Sequence, residues 1–396
     1  MDFSALRRSG HAPSLLAALL HFDVSFMAWV LLGALGAYIG EELQLSASAK
    51  GLMVAVPLLS AAFFRVALGL LGDRYGPKRI GTLSMAVVVV ALLAGWLGAN
   101  SYGALLGVGV LLGVAGASFA IALPLASRHY PPKHQGLAMG IAGAGNSGTV
   151  LTTLAAPRLA EQVGWHAVFG LALIPVVIVW VTFALLAKEP PAPTRPVRTS
   201  DLRTTLKEAD AWRLCGLYAV TFGAFVGLAS FLPIFFHDQY GISKVDAATI
   251  VAVGAALGSF LRPLGGYLAD KQGGTTVLTG VYGVGAALLL FASALPVLGA
   301  AAVAFCLTMA TFGIGNGAVF QLVGLRYREK VGVVTGIVGA AGGLGGFFLP
   351  TILGTARDAF GSYGPGIGAI AALTATALAG TLVVRGTWIA PAGARA

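Results

Sequence analysis

The sequence predicts an all-α polytopic membrane protein whose twelve transmembrane helices form two pseudo-symmetric six-helix bundles. Three observations predict this. The 396 residues are 57% hydrophobic and only 10% charged, with a mean hydropathy of +0.86, too little charge to cover a water-soluble protein of this length. Apolar runs long enough to cross a ~30 Å hydrocarbon core recur along the chain, as in "RIGTLSMAVVVVALLAGWLGA" and "GWHAVFGLALIPVVIVWVTFALLA". Finally, the second half repeats features of the first at one constant offset.

Breaks rich in charge, proline or turn residues divide the chain in order. The N-terminal "MDFSALRRSGHAPSLLAALL" has no small-residue cleavage site and reads as a tail entering the first helix. The spans then fall at roughly 20–40, 50–72, 80–98, 102–126, 136–156 and 166–187. "KEPPAPTRPVRTSDLRTTLKEADAW" follows, a linker rich in proline and charge. The remaining spans lie at roughly 212–236, 246–269, 275–294, 298–323, 333–353 and 366–385. This gives an N-terminal bundle (1–187), a linker (188–211) and a C-terminal bundle (212–396). Glycine, at 56 residues, is about twice its usual ~7% share and lies within the apolar runs, where small residues let helices pack closely in lipid. Cys215 and Cys306 stand alone in separate spans, so neither a disulfide framework nor a metal cluster is indicated.

Lysine and arginine set the orientation. With both termini inside, the inner segments hold nineteen of the 25 and the outer loops four: Lys50, Arg158, Lys244 and Arg357. The net charge of +10 is thus a topology signal and implies no nucleic-acid partner. The predicted location is the cell inner membrane, with cytoplasmic termini and the lipid bilayer as the surrounding partner. Two arginines remain, Arg65 and Arg262, and both fall inside spans.

A shift of 197 residues sets "FFRVALGLLGDRYG" on "FLRPLGGYLADKQG", pairing Arg65 with Arg262, Gly69 with Gly266, Asp73 with Asp270, Arg74 with Lys271 and Gly76 with Gly273. The same shift carries "GAGNSG" (143–148) onto "AAGGLG" (340–345). Duplicated halves suit a carrier whose site lies between them. The motif G-x-x-x-D-R-x-G-x-K-R between spans 2 and 3 resembles the loop signature of the major facilitator superfamily, and the resemblance covers essentially the whole chain. Asp73, with Arg74, Gly69 and Gly76 and with Asp270 as its counterpart, is read as a cytoplasmic gate that pairs with basic groups and helix ends to hold the outward-open packing.

Arg65 stands eight residues before Asp73, and Arg262 eight before Asp270. At 1.5 Å per residue this is ~12 Å into the membrane, close to its middle. A charge there costs at least ~2.5–3.5 kcal/mol and normally faces a cavity with a partner. Among the acidic residues only Asp23 and Asp246 come near a span, each read as lying at its end, and the histidines likewise near ends or loops. The missing counter-charge is then the cargo, an anion. Guanidinium is planar and weakly hydrated, and the spans hold no lysine, so a small planar monovalent oxyanion fits best.

"GIAGAGNSGTV" in span 5 and "GIVGAAGGLGGFFLP" in span 11 resemble the paired signature motifs of the nitrate/nitrite porter family, and "SFMAWVLLGAL" and "GIGNGAVFQ" are also similar to that family. The resemblance implies that nitrate and nitrite are the substrates. It implies that Arg65 and Arg262 clamp the anion, that Asn146 bonds it, and that Phe119, Tyr218 and Phe222 sandwich or support it. Tyr218 and Phe222, four apart, share one helix face. Gly143, Gly145, Gly148, Gly342, Gly343, Gly345 and Gly346 are expected to let spans 5 and 11 lie against spans 2 and 8. Asn316 and Gln321 in span 10 are candidates for polar support behind the site.

The expected mechanism is obligatory nitrate/nitrite exchange by a monomeric carrier without cofactor or metal. Proton-coupled uptake needs a titratable group in the path, for which Asp23 or a substrate-linked proton could serve. An exporter of drugs or organic anions would explain the loop motif but not the arginines with the glycine motifs. A membrane enzyme would need a nucleophile–base pair or metal ligands within the spans, and no such motif is present.

Overall fold

A computed structural model of the chain describes residues 9–191, 199–327 and 331–388. Linker residues 192–198, and Arg7, Arg8, Arg328, Lys330 and Arg395 of the charge count, lie outside the described residues. The first membrane passage is built from α1 (Ala12–Trp29), α2 (Leu31–Ala34) and α3 (Gly36–Glu42). It begins at Ala12, earlier than the expected residue 20. His11 caps the helix by accepting the Ser14 N–H at 3.1 Å, and Pro13 sits in the first turn, where its missing N–H does no harm. Nothing interrupts the helix between these residues and Trp29, so Asp23 is interior to the passage.

α4 (Ala47–Tyr75) and α5 (Pro77–Gly98) meet at Gly76, whose φ of 96° closes a turn that favours glycine. The Glu189 carboxylate accepts the backbone N–H groups of Lys78 (3.2 Å) and Arg79 (3.0 Å), satisfying the start of α5. The matching turn at Gly273 has φ 88°. α6 (Tyr102–Gly116) and α7 (Phe119–Ser127) form the fourth passage. The fifth comes in pieces, α8 (Pro132–Gly143), a 3-10 turn (Ala144–Ser147) and α9 (Gly148–Val163), followed by α10 (Trp165–Leu186). A short linker helix, α11 (Thr199–Thr205), leads to α12 (Ala209–Tyr240). The eighth passage is broken at Leu261 into α13 (Lys244–Phe260) and α14 (Arg262–Gln272). α15 (Gly274–Ser293), α16 (Leu298–Arg326), α17 (Val331–Phe360) and α18 (Gly364–Trp388) complete the chain. Among the described residues eleven helical stretches are long and apolar enough to cross a membrane, and the composite fifth passage brings the number to the expected twelve.

The most extensive helix contacts run along α17, against α4 on one side and α12 on the other. Glycine makes this possible. A Cβ on Gly345 would stand 2.0 Å from the Ala219 carbonyl oxygen of α12, and one on Gly343 would stand 3.0 Å from the Ala62 Cβ of α4. Phe63, Leu97, Leu185, Val297 and Val383 point outward, a distribution that suits a lipid surface.

Contacts that join the two ends of the chain gather on the membrane face away from the linker. There Glu41 of α3 pairs with His237 (2.8 Å) and Lys244, and Lys50 of α4 pairs with Asp238 (2.7 Å). The Asp358 carboxylate accepts the N–H groups of Ala47 (3.1 Å) and Ser48 (2.8 Å) at the start of α4. Arg158 donates to Thr249 at 2.9 Å. On the linker face Asp73 pairs with Arg128, and Asp210 with Arg326 and Arg213, each pair within one end of the chain. A cavity of about 290 Å³ runs from Arg65 past Gly69 and Asp73 to Gln135 and Leu202. The molecule is therefore latched on the far face and open toward the linker face.

Candidate functional site

Arg65 is carried by the middle of α4 and is only 3% exposed. Its Nε donates to the Gly116 carbonyl at 3.1 Å, and one terminal nitrogen donates to the Gly339 carbonyl at 2.6 Å. Gly116 ends α6, where carbonyls lack next-turn partners. It must also be small, since a Cβ there would meet Trp29 at 2.3 Å. The guanidinium carbon lies 5.4 Å from the Trp29 ring centre and 5.0 Å from that of Phe222, a cation–π setting on two sides.

Arg262 is held differently. It is the first residue of α14, directly after the break at Leu261 and before Pro263. One terminal nitrogen donates to the Tyr218 hydroxyl at 3.4 Å, and the guanidinium lies 5.3 Å from the Phe320 ring centre. Neither arginine makes an ion pair among the described residues.

Arg65, Phe119, Asn146, Tyr218, Phe222 and Arg262 line one pocket, together with Phe22, Phe26 and Gly339. All six residues that the family resemblance singled out thus converge, from five different passages. The pocket encloses about 10 Å³, roughly the room for one water. Tyr218 and Phe222 stack at 5.0 Å with 10° between ring planes, as their spacing predicts. Asn146, in the 3-10 turn, donates across the molecule to the Ser259 hydroxyl at 2.7 Å. What the arrangement offers chemically is two positive, planar donors over aromatic faces, in a space sealed from the far side.

Several expectations are corrected. Gly145 and Gly148 abut α1, where added Cβ atoms would stand 2.9 Å from the Asp23 nitrogen and 1.9 Å from the Asp23 carbonyl oxygen. Gly342, Gly345 and Gly346 abut α12, while Gly343 approaches α4. Span 5 thus packs on span 8, as expected, but its signature glycines face span 1; span 11 packs on span 2, as expected, and also on span 7; Gly143 meets nothing within 4 Å. Arg65 does bond backbone carbonyls, so its charge is partly solvated by the chain itself. Asp73 pairs with Arg128 inside its own half, consistent with an open linker face, while Arg74 lies over Tyr75 and Asp270 is exposed. Asn316 is buried with its side-chain oxygen unpaired; Gln321 lies beside Asp270, away from the pocket.

Asp23 does not lie at a span end. It is half-buried at the level of Gly145 and Gly148, and it accepts the Ser147 hydroxyl at 2.7 Å. His21 is likewise interior, fully buried with its ring 4.8 Å from Phe183. Both shifts follow from the early start of α1. Sequence reasoning also missed Ser259, Trp29 and Phe320. The two aromatics lie within "SFMAW" and "GAVFQ", motifs it had noted without assigning a role; nothing local marks Ser259.

Comparison with known proteins places these features in context. The Major Facilitator Superfamily profile matches residues 17–350. A protein named nitrite extrusion protein from Bacillus subtilis is 33% identical over 371 residues, covering 92% of this chain and 91% of its own. A probable nitrate/nitrite transporter NarK2 of Mycobacterium tuberculosis is 34% identical over 359 residues (88% and 90%). A probable nitrate/nitrite antiporter NarK1 of Thermus thermophilus is 32% identical over 376 residues (85% and 83%). Among solved structures, a bacterial homologue of the human lysosomal transporter Spinster, inward-facing and occupied, superposes with a TM-score of 0.71 at 20% identity, covering 94% of this chain and 96% of that one.

Proposed function

We propose an anion-exchange function on one premise: the chain belongs to the nitrate/nitrite porter family of the major facilitator superfamily. It is a secondary transporter of small planar oxyanions, exchanging nitrate for nitrite by alternating access. The observation that carries this reading is the convergence of Arg65 and Arg262, from α4 and α14, on one pocket that offers neither an acidic partner. The anion is clamped between the guanidiniums, bonded by Asn146 and flanked by Phe119, Tyr218 and Phe222.

The energetics favour exchange. At an effective dielectric of about 20 and a separation of about 8 Å, two guanidiniums repel by ~2 kcal/mol, which an anion relieves before the site closes. Residues 1–187 and 212–396 move as the two bodies, joined by the linker 188–211. The linker face is cytoplasmic, because loops on that side hold most of the lysine and arginine, and the host bilayer is the inner membrane. On that assignment the conformation described here is inward-facing. The carrier works as a monomer, and Asp73, Arg74 and Asp270 form the inner gate when it closes.

Counterflow in liposomes with nitrate, nitrite, chlorate and chloride tests the reading. Arg65→Lys keeps the charge but loses the planar fork, so it is expected to lose nitrate exchange. Unchanged exchange in that variant removes the clamp.

A further inference from the structure

Exchange leaves one feature unused: a carboxylate in the middle of the first passage. Asp23 follows Phe22, and Ser147 follows Asn146; Phe22 and Asn146 both line the pocket between the arginines. The Asp23–Ser147 hydrogen bond of 2.7 Å thus joins two residues each one position along the chain from a lining residue of that pocket. Asp23 has no ion-pair partner among the described residues, so its ionised form is held at mid-membrane by neutral donors, the Ser147 hydroxyl and the Gly148 backbone N–H. Such a carboxylate in a membrane span marks a proton-relay position.

The neighbouring elements supply no competing group close by. His21, on the same helix, turns to Phe183 of α10. Near Asp23 the fifth passage presents Gly145, Ser147, Gly148 and Thr152 to α1, none of them titratable. Apart from Arg65 and Arg262 of the pocket itself, the described acids and bases of the surrounding helices lie toward the membrane faces: Arg158, Glu161 and His166 on the far side, and Lys78, Arg79, Arg128 and His134 on the linker side.

We propose that Asp23 is the residue at which this carrier binds a proton together with its anion, adding a net 1:1 proton–anion uptake mode to exchange. The proposal rests on the anion site proposed above. Charge balance carries it. With the arginines alone, the centre bears +2 when empty and +1 when loaded, so the empty form resists closing. Ionised Asp23 lowers the empty centre to +1. In the loaded form the anion contributes −1 and the proton neutralises Asp23, again giving +1. Both translocating forms then carry equal charge, and the empty carrier can return. The proton moves from water on one side to the carboxylate and is released to water on the other. By linkage, protonation of Asp23 strengthens anion binding and anion binding strengthens protonation, by equal factors.

The test uses full-length protein in liposomes, with Asp23→Asn as the variant that keeps an acceptor for Ser147 but cannot ionise. Vesicles free of internal nitrate and nitrite, with an alkaline interior, are expected to accumulate nitrate with the wild type and at least ~10-fold more slowly with Asp23→Asn, since that variant cannot discharge a proton inside. In preloaded vesicles, the variant's nitrate counterflow is expected to persist and to become independent of pH, at the level the wild type reaches in acid. Absence of gradient-driven uptake by the wild type overturns the proposal while leaving exchange intact. Its retention by Asp23→Asn also overturns it, as does joint loss of uptake and counterflow, which would make Asp23 structural. Failure of wild-type counterflow would instead overturn the exchange reading.

Discussion

Arg65 and Arg262 occupy matching positions in a duplicated sequence, yet the two halves hold them differently. Arg65 rises from a continuous 29-residue helix and is fixed by two backbone carbonyls and two aromatic rings. Arg262 starts a helix after a break, next to Pro263, with one long hydrogen bond to Tyr218 and one ring beneath. The difference teaches that matched sequence positions set the depth of the charges, while packing fixes one arginine by four contacts and leaves the other, with two, freer to adjust. On the proposed clamp, nitrate/nitrite exchange would pair one firmly held donor with one held by fewer contacts.

The largest expected effect breaks or upholds that contrast directly. Arg65→Lys loses at least one charge-assisted hydrogen bond and both ring contacts, a deficit of ~3 kcal/mol, or about 100-fold in nitrate exchange. Arg262→Lys, which gives up one weaker bond and one ring contact, should lose about 10-fold. Exchange rates showing the opposite order would remove the fixed-and-adjustable distinction.

A smaller effect separates the glycines of the two signature motifs. Gly148→Ala and Gly345→Ala drive a methyl group into backbone oxygens of α1 and α12, at 1.9 and 2.0 Å. Such overpacking costs ~1–3 kcal/mol, read as a lower Tm in detergent. Gly143→Ala, with open space around it, should leave Tm where it is. Equal destabilisation at all three positions would mean that the motif acts through backbone flexibility and not close approach.

The smallest effect concerns the latch on the far face. Glu41→Gln removes the carboxylate shared by His237 and Lys244. Partly exposed pairs contribute ~0.2–1 kcal/mol each, so the population open to the far face should rise by up to several-fold, measurable as spin-label distances across that face. Asp73→Asn, whose partner lies in its own half, should not raise that population. A similar rise from both would show that the far-face pairs do not hold the closed side.

The twelve-span architecture was legible because hydropathy, charge bias and the 197-residue repeat report on the solvent around each residue, and lipid is a demanding solvent. The depth of Arg65 and Arg262 was legible for a related reason: helical rise converts sequence distance from a membrane-face aspartate into ångströms. Asp23 escaped because the same ruler was laid from a span start set too late. "HAPSLLAALL" carries no charge that marks its end, and only the His11 cap and the run of α1 past Asp23 reveal that the residue is interior.

What the sequence determined by itself was therefore the set of helices and the depth of the two intramembrane arginines. Which side chains meet was decided only in the tertiary structure. The union of Asn146 with Ser259, of Arg65 with Gly116 and Gly339, and of Asp23 with Ser147 depends on which helix faces which and at what roll about its axis. In lipid nothing in the local pattern dictates that roll, because a hydrocarbon solvent rewards apolar faces on every side of a helix and leaves the choice of neighbour to close packing among glycines.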